Sequence, residues 1–242
     1  MRAFRSRSVL GVAVCLAVIA TACGSDGESS TSQADTIVDT TATSDTNGED
    51  DSADAAADTS DCPPIEGTST QNRSFDSAPP MCLDPDATYT AIITTNKGEF
   101  TIELDPDQAP VATNNFVFLA RNQYFNETEC HRIIPGFVVQ CGDPTATGTG
   151  GPGYTIIDEP PATGQYEIGS IAMAKTAAPD SAGSQFFIIT GEDGAALPPE
   201  YALFGQVITG FDETVGVMEA AGSASGTPGE PIRIESITIV QS

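Results

Sequence analysis

The stretch that decides the fold runs from residue 129 to residue 143 and reads Glu129-Cys130-His131-Arg132-Ile133-Ile134-Pro135-Gly136-Phe137-Val138-Val139-Gln140-Cys141-Gly142-Asp143. It predicts two short strands that fold back on each other, because Pro and Gly favour a turn and β-branched residues flank them on both sides. The register expected from this turn pairs Ile133 with Val138, Arg132 with Val139, His131 with Gln140 and Cys130 with Cys141.

One face of the predicted hairpin carries an unusual set of side chains. Side chains alternate along a strand, so Arg132 and Gln140 can share a face although they are eight positions apart. Phe137 leaves the turn close to them. Arginine, glutamine and phenylalanine together are uncommon in a protein core. The hairpin therefore predicts a groove for a ligand that is both apolar and amide-like.

Around the hairpin the sequence predicts a mostly β domain with two helices. Strand patterns cover residues 90–95, 99–104, 168–173, 185–189, 203–208 and 232–240. A helix is predicted from Pro110 to Arg121, and Asp212 is the expected N-cap of a second helix over residues 213–221. With the hairpin this makes eight strands. Periodicity alone leaves a sandwich and a closed barrel equally open.

Three sequence blocks, in the same order, resemble the cyclophilins. The first is His-Arg-Ile-Ile-Pro-Gly-Phe-Val-Val-Gln (131–140), followed by Gly-Asp-Pro (142–144) and Gly-Thr-Gly-Gly (148–151). The second is Gly-Ser-Ile-Ala-Met-Ala (169–174) with Gly-Ser-Gln-Phe-Phe-Ile (183–188). The third is Leu197 with Tyr-Ala-Leu-Phe-Gly (201–205). The resemblance covers roughly Ala87 to Ser242.

This resemblance implies a fold and an activity. The implied fold is all-β: a closed eight-stranded antiparallel barrel capped by two helices, over residues 83–242. The implied activity is peptidyl-prolyl cis-trans isomerisation, which is non-covalent and uses no cofactor and no metal. The implied partners are proline-containing segments of unfolded or exported proteins.

The resemblance also assigns roles to individual residues. Arg132 matches the family's catalytic arginine, and Gln140 matches the residue that supports it. Substrate-binding positions are matched by Phe137, Val138, Ala174, Lys175, Gln185, Phe187, Leu197 and Tyr201. This chain departs from common family members at three of them: Val138 replaces a frequent methionine, Lys175 a common asparagine and Tyr201 a histidine.

The N-terminus reads as an export signal over residues 1–22. Arg2, Arg5 and Arg7 precede an apolar run of 12 residues, which is shorter than the roughly 20 that a membrane-spanning helix needs. The sequence Ala-Thr-Ala-Cys at residues 20–23 resembles a lipoprotein cleavage box, in which Cys23 becomes lipidated. It also fits an ordinary Ala-x-Ala cleavage site, which would give a secreted protein.

Cysteine counting favours lipidation of Cys23. Loss of Cys15 with the signal leaves five cysteines, an awkward number in an oxidising compartment. If Cys23 carries lipid, four remain, and hairpin geometry favours the disulfides Cys62–Cys82 and Cys130–Cys141. We therefore expect an extracytoplasmic, lipid-anchored protein, with secretion as the alternative.

Residues 23–82 are expected to form a disordered acidic tether with a cysteine-bounded end. No Lys or Arg occurs from Gly24 to Asn72, and Ser, Thr, Ala, Asp and Gly dominate. Such a segment cannot bury enough apolar surface to offset its ordering entropy. The formal net charge of the whole chain is −25, which argues against binding to nucleic acid, because that needs Lys and Arg to displace counterions.

Two other functions remain open at the level of sequence. One is a non-catalytic module that binds proline-containing peptides, as a chaperone or adaptor would. The other is a structural spacer at the cell surface, for which the groove would be idle. Arg132, Phe137 and Gln140 together favour the enzyme.

Overall fold

The computed structural model describes residues 61–242. The predicted signal peptide (1–22), the predicted lipidation site Cys23 and the predicted tether up to residue 60 lie outside the described residues. Among residues 61–242, no helix combines the length and the apolar character that crossing a membrane requires.

The described residues contain nine strands, three α-helices and one π-helical turn. In chain order they are β1 (Tyr89–Thr95), β2 (Gly98–Leu104), α1 (Pro110–Arg121), β3 (Thr128–Glu129), β4 (Arg132–Ile134), β5 (Val138–Cys141), β6 (Ser170–Met173), β7 (Phe186–Ile189), α2 (Glu192–Ala195), β8 (Leu203–Thr209), the π-helical turn (Phe211–Val215), α3 (Gly216–Ala220) and β9 (Arg233–Gln241).

All nine strands form one antiparallel sheet, ordered β3-β9-β1-β2-β8-β6-β7-β5-β4. The end strands β3 and β4 are consecutive in the chain and separated only by Cys130 and His131. An isolated bridge also pairs Glu129 of β3 with Asp143, just after β5. The chain therefore brings the two ends of the sheet together at Cys130 and His131.

The all-β antiparallel fold is confirmed, and the count of eight strands needs correction. We expected one strand through residues 130–134. The structure instead breaks the chain at Cys130 and His131, so that β3 pairs with β9 while β4 pairs with β5. The break lets the chain leave one edge of the sheet and join the other.

The predicted hairpin register is wrong by one residue. Arg132 pairs with Gln140, Ile133 with Val139 and Ile134 with Val138. The turn holds the three residues Pro135, Gly136 and Phe137 rather than two, and Gly136 adopts a φ of 76°, which glycine tolerates best. The extra turn residue puts Arg132 and Gln140 directly opposite each other.

The predicted helix α1 forms with the expected bounds, from Pro110 to Arg121. Its first free N–H groups, on Val111 and Ala112, donate to the carboxylate of Glu159 at 2.9 and 2.8 Å. A negative charge at a helix N-terminus is favourable, and it satisfies donors that the helix itself leaves unpaired. The helix packs on β8 and β9.

The second predicted helix differs from expectation. Asp212 is not an N-cap, because it lies inside the π-helical turn. The residue before that turn is Gly210, which adopts a left-handed conformation with a φ of 76° and makes no side-chain cap. The regular helix α3 begins at Gly216 and packs against β4 and β5, beneath the hairpin.

Residues 61–82, here called the N-terminal strap, pack on the domain. The sequence had predicted a disordered tether as far as residue 82. The backbone N–H groups of the strap donate to the domain as follows: Thr68 to Arg121 at 2.7 Å, Asn72 to Asn122 at 3.0 Å and Phe75 to Pro152 at 2.9 Å. The ring of Phe75 packs edge-on against Phe118, with centroids 5.1 Å apart. The strap therefore follows the domain surface, although its sequence lacks periodicity.

Both expected disulfides are present in the structure. Cys62 is bonded to Cys82 at the two ends of the strap, and Cys130 is bonded to Cys141 beside the hairpin. Cys82 is further anchored because its N–H donates to Asn114 Oδ1 at 2.8 Å. The first bridge therefore closes the strap against α1.

Replacing Cys62 and Cys82 together with alanine should destabilise the domain. The bridge joins residues 20 positions apart, and a loop of that size restricts the unfolded chain by about 3 kcal/mol. Urea denaturation followed by circular dichroism measures this difference in the free energy of unfolding. An unchanged unfolding midpoint would contradict it.

Candidate functional site

The hairpin β4–β5 brings Arg132 and Gln140 to the same outer face. Their neighbours Ile133 and Val139 point the other way and are fully buried in the main core. Because side chains alternate along a strand, burying these two apolar residues turns the arginine and the glutamine outward together. The core therefore determines which way the functional side chains face.

Two contacts fix the guanidinium of Arg132. Its Nη1 donates to Gln140 Oε1 at 3.2 Å, and its Cζ lies 5.4 Å from the centroid of the Phe137 ring. A cation over an aromatic face is attracted by the ring's quadrupole. The guanidinium is thus held in a defined place, and its other N–H groups remain available to a ligand.

A chain of side-chain amides supports Gln140. Its Nε2 donates to Gln185 Oε1 at 3.0 Å, and Gln185 Nε2 in turn donates to the carbonyl oxygen of Gly150 at 3.0 Å. With its nitrogen engaged by Gln185, the amide oxygen of Gln140 faces Arg132. This relay sets the orientation of the group that contacts the guanidinium.

A pocket of about 170 Å3 lies beside the guanidinium. It is lined by Arg132, Phe137, Val138, Gln140, Ala174, Lys175, Phe187, Leu197 and Tyr201. Its walls belong to a small apolar cluster that is separate from the main core. Within that cluster the rings of Phe187 and Tyr201 meet edge to face, with centroids 5.4 Å apart.

Nine of the ten site residues predicted from the sequence line this one pocket. The tenth, Gln185, lines an adjoining cavity of about 320 Å3, which shares Gln140, Ala174 and Lys175 with the first. The structure therefore brings the predicted residues together, while their individual roles stay predictions. The ammonium of Lys175 lies 2.5 Å from a carboxylate oxygen of Asp158, so its charge is paired at the rim.

Tyr166 is a site residue that the sequence did not reveal. Its hydroxyl donates to the carbonyl oxygen of Tyr201 at 2.7 Å and accepts from the Tyr201 N–H at 3.0 Å. Burial raises the pKa of Tyr166 to about 12, against the lowering effect of its hydrogen bonds. Tyr166 lies in a loop and in no recognisable motif, so no signal in the sequence pointed to it.

Asp143 is a second residue whose role was missed. Its carboxylate is fully buried and accepts from the backbone N–H groups of Thr145, Thr147, Gly148 and Gly150 at 2.6 to 3.1 Å. Burial raises its pKa, but a hydrogen bond from the Thr145 hydroxyl at 2.7 Å and these backbone hydrogen bonds outweigh burial and bring the pKa of Asp143 to about 2. Asp143 thereby fixes the loop whose Gly150 carbonyl ends the amide relay.

His131, next to Arg132, lies in the break between β3 and β4. Its Nδ1 is buried without a hydrogen-bond partner. Burial lowers the pKa of His131, the charge of Asp143 raises it and the charge of Arg132 lowers it further. Within residues 61–242, no three His, Cys, Asp or Glu side chains are grouped so that they could hold a metal ion.

Comparison with known proteins identifies the family of the chain. The family described as cyclophilin type peptidyl-prolyl cis-trans isomerase/CLD matches residues 90–239. That match covers more than half of the chain and contains the whole pocket. The chain belongs to the cyclophilin-type peptidyl-prolyl cis-trans isomerases.

Two mycobacterial relatives support the assignment. The chain is 36% identical over 172 residues to a protein of Mycobacterium bovis named probable peptidyl-prolyl cis-trans isomerase A, in a match covering 64% of this chain and 94% of the relative. It is 35% identical over 176 residues to probable peptidyl-prolyl cis-trans isomerase B of Mycobacterium leprae. That match covers 64% of this chain and spans 58% of the length of the relative.

Solved structures agree with the sequence relatives. A cyclophilin-type peptidyl-prolyl cis-trans isomerase of Cryptosporidium parvum superposes with a TM-score of 0.58 at 34% identity, over 63% of this chain and 98% of that one. The same enzyme in the presence of the dipeptide Ala-Pro gives a TM-score of 0.58 at 36% identity, over 62% and 98% of the two chains.

Replacing Asp143 with asparagine should lower stability at neutral pH by about 2–3 kcal/mol, because a depressed carboxylate pKa stabilises the fold wherever the group is ionised. That contribution is complete above about pH 4 and is lost as the pH falls towards about 2, so wild type and variant should converge there. Urea denaturation at several pH values measures the difference.

The matched control for this experiment is Asp107→Asn, which changes an exposed carboxylate and should shift stability by no more than about 0.5 kcal/mol. A difference between wild type and Asp143→Asn that stays constant from neutral to acid pH would contradict the role given to the buried carboxylate.

Proposed function

We propose that this groove accelerates cis-trans rotation about X–Pro peptide bonds in exported proteins, without a covalent intermediate and without a cofactor. The observation that carries the proposal is that a fixed guanidinium and an apolar pocket share one face of the sheet. The family membership of the chain supports the same reaction.

Isomerisation of an X–Pro bond requires both features, the fixed guanidinium and the apolar pocket. Rotation about an X–Pro bond crosses a barrier of about 20 kcal/mol, because twisting the bond breaks amide resonance. Without a catalyst it takes tens of seconds. At the twisted geometry the proline nitrogen becomes pyramidal and regains a lone pair. A donor aimed at that nitrogen binds the twisted bond better than the planar one, and only such differential binding accelerates a reaction.

Arg132 is the donor in this proposal. A guanidinium is permanently charged and holds its N–H groups in a rigid plane. Since Gln140 occupies Nη1, other N–H groups of Arg132 can reach the proline nitrogen. A charge-assisted hydrogen bond contributes about 1.5–3 kcal/mol, which corresponds to roughly ten- to a hundredfold in rate.

The apolar pocket selects substrates that contain proline and anchors the proline ring. Phe137, Phe187 and Leu197 form walls suited to a pyrrolidine ring, and the polar groups of Gln140 and Gln185 lie on the side where the peptide backbone would run. The pocket holds the proline ring in place while the preceding carbonyl group rotates, so that binding energy is used to orient the bond for isomerisation. The dipeptide named for the Cryptosporidium enzyme, Ala-Pro, contains an X–Pro bond of this kind.

Arg132→Ala should lower kcat/KM for a proline peptide at least tenfold in a protease-coupled isomerisation assay, because it removes the donor and leaves the pocket walls in place. Arg233→Ala is the matched control. That arginine lies on β9, outside the groove, and pairs with Glu127 at 3.2 Å, so its removal should leave the rate within about twofold.

The rival function, a binding module without turnover, makes the opposite prediction. Under that account the wild-type chain binds the peptide and does not accelerate isomerisation. A wild-type protein without activity, or an Arg132→Ala variant as fast as wild type, would reject the enzymatic proposal.

We further propose that the enzyme works outside the cytoplasm, tethered by lipid on Cys23. Support comes from the basic and apolar N-terminus and from the odd cysteine count once that segment is removed. Disulfides persist mainly in oxidising compartments. Residues 24–61, as a flexible coil, would span on the order of 35 Å and hold the groove off the membrane.

Cys23→Ser should move the protein from the membrane fraction to the soluble fraction, because a serine hydroxyl cannot take the thioether-linked lipid. Fractionation of cells followed by immunoblotting measures the distribution. Cys62→Ser with Cys82→Ser is the control, since it also removes cysteines and should stay in the membrane fraction. A wild-type protein recovered as soluble would reject the anchor and favour secretion.

A further inference from the structure

We infer that the Cys130–Cys141 disulfide is a positioning element for the Arg132–Gln140 pair, so that the groove gains full catalytic power only once this bond has formed. The inference rests on the proposed isomerase function. It goes beyond stabilising the fold, because it assigns the bond an effect on the rate.

The disulfide lies next to the Arg132–Gln140 pair, at the open end of the hairpin. Cys141 is the last residue of β5 and follows Gln140, and Cys130 lies two positions before Arg132. Both cysteines are only 1% exposed and belong to the main core. Since side chains alternate along β5, Gln140 faces the groove while Cys141 faces the core behind it. One covalent bond thus ties the backbones on both sides of the pair.

Strand β4, which carries Arg132, is short and lies at the end of the sheet. It stands at the end of the sheet order and pairs only with β5, through three residue pairs. The chain just before it crosses from one sheet edge to the other at Cys130. Three backbone hydrogen bonds also hold this stretch: the N–H of Ile133 donates to Gly226 at 2.8 Å, the carbonyl of Ile133 accepts from Ser223 at 3.1 Å, and the N–H of Cys130 donates to Ile232 at 2.8 Å. In the described part of the chain, the disulfide is the one covalent cross-link between this crossover and β5, which are otherwise joined through the backbone of β4 and the turn.

A small displacement of β4 would affect the site directly. The guanidinium depends on a 3.2 Å contact to Gln140 and a 5.4 Å distance to the centroid of the Phe137 ring. Gln140 lies on β5, and Phe137 is the last residue of the turn, directly before β5. Hydrogen bonds weaken steeply with poor geometry, and a shift of about 1 Å in a catalytic group can cost about a hundredfold in rate. The pocket walls from β7 and the α2 region would stay in place.

Formation of the bond is a thiol–disulfide exchange with a small-molecule or protein disulfide as oxidant. The thiolate of one cysteine attacks the donor disulfide and releases one donor thiolate. The thiolate of the second cysteine then attacks the mixed disulfide and releases the other. Two protons leave the cysteines, and the donor takes up two electrons. Because both sulfurs become buried, the bond forms before the hairpin closes over them, which makes it a maturation step.

The chain offers a matched pair of variants for the test: Cys130→Ala with Cys141→Ala, and Cys62→Ala with Cys82→Ala. Each removes one disulfide, and the control bond closes the longer loop, with a separation of 20 residues against 11. The control should therefore lose at least as much stability through chain entropy. Cys130→Val with Cys141→Ala is a further variant that restores buried apolar volume.

Exchange NMR on an Ala-Pro peptide gives kcat and peptide affinity separately. Loss of Cys130–Cys141 should lower kcat at least tenfold in both variants, with affinity within twofold of wild type, while the control keeps wild-type kcat. In an Arg132→Ala background the same loss should lower kcat by less than twofold, because a positioning effect vanishes with the group it positions.

Three results would overturn the inference. One is wild-type kcat without the Cys130–Cys141 bond, in a chain whose wild type is active. Another is an equal loss of kcat in the control. The third is failure of both variants to fold, since the bond would then support the whole domain. A wild-type chain without activity would overturn the proposed function itself, and the inference with it.

Discussion

The site depends on one constraint, the antiparallel pairing of Arg132 with Gln140 across a three-residue turn. Burial of Ile133 and Val139 makes this pairing strongly preferred, because a slip by one residue would turn both apolar side chains out to water and both polar ones into the core. The core of the domain and the chemistry of its surface are thus set by the same register.

A chain of hydrogen bonds extends from the Arg132–Gln140 pair, and each residue in it restrains the residue before it. Gln185 orients Gln140, the Gly150 carbonyl orients Gln185, and the buried carboxylate of Asp143 holds the loop that contains Gly150. A network in which every buried polar group is satisfied is rigid, and rigidity is what a donor needs in order to meet a short-lived geometry. The groove is therefore built to recognise a shape rather than to supply a reactive group.

Much of this was predictable from the sequence, where the relevant signal is local. Helix α1 was bounded correctly because Pro110 marks its start, and the pocket residues followed from motifs in family order. The predicted hairpin register was wrong because the length of the turn depends on tertiary packing, and a Pro-Gly pair is compatible with turns of two or three residues. The roles of Asp143 and Tyr166 were missed because most of their partners are loop backbone atoms, which no residue pattern encodes. The strap was assigned to the tether because its order comes from contacts with the domain.

The central claim is that Arg132 acts on the proline nitrogen at the twisted state. It is tested most directly by varying the basicity of that nitrogen with 4R- and 4S-fluoroproline peptides, whose two epimers separate electronic effects from fit in the pocket. The account predicts that the acceleration by the wild-type chain falls as the nitrogen becomes less basic, and that this dependence disappears in Arg132→Ala. The same dependence in both proteins would contradict it.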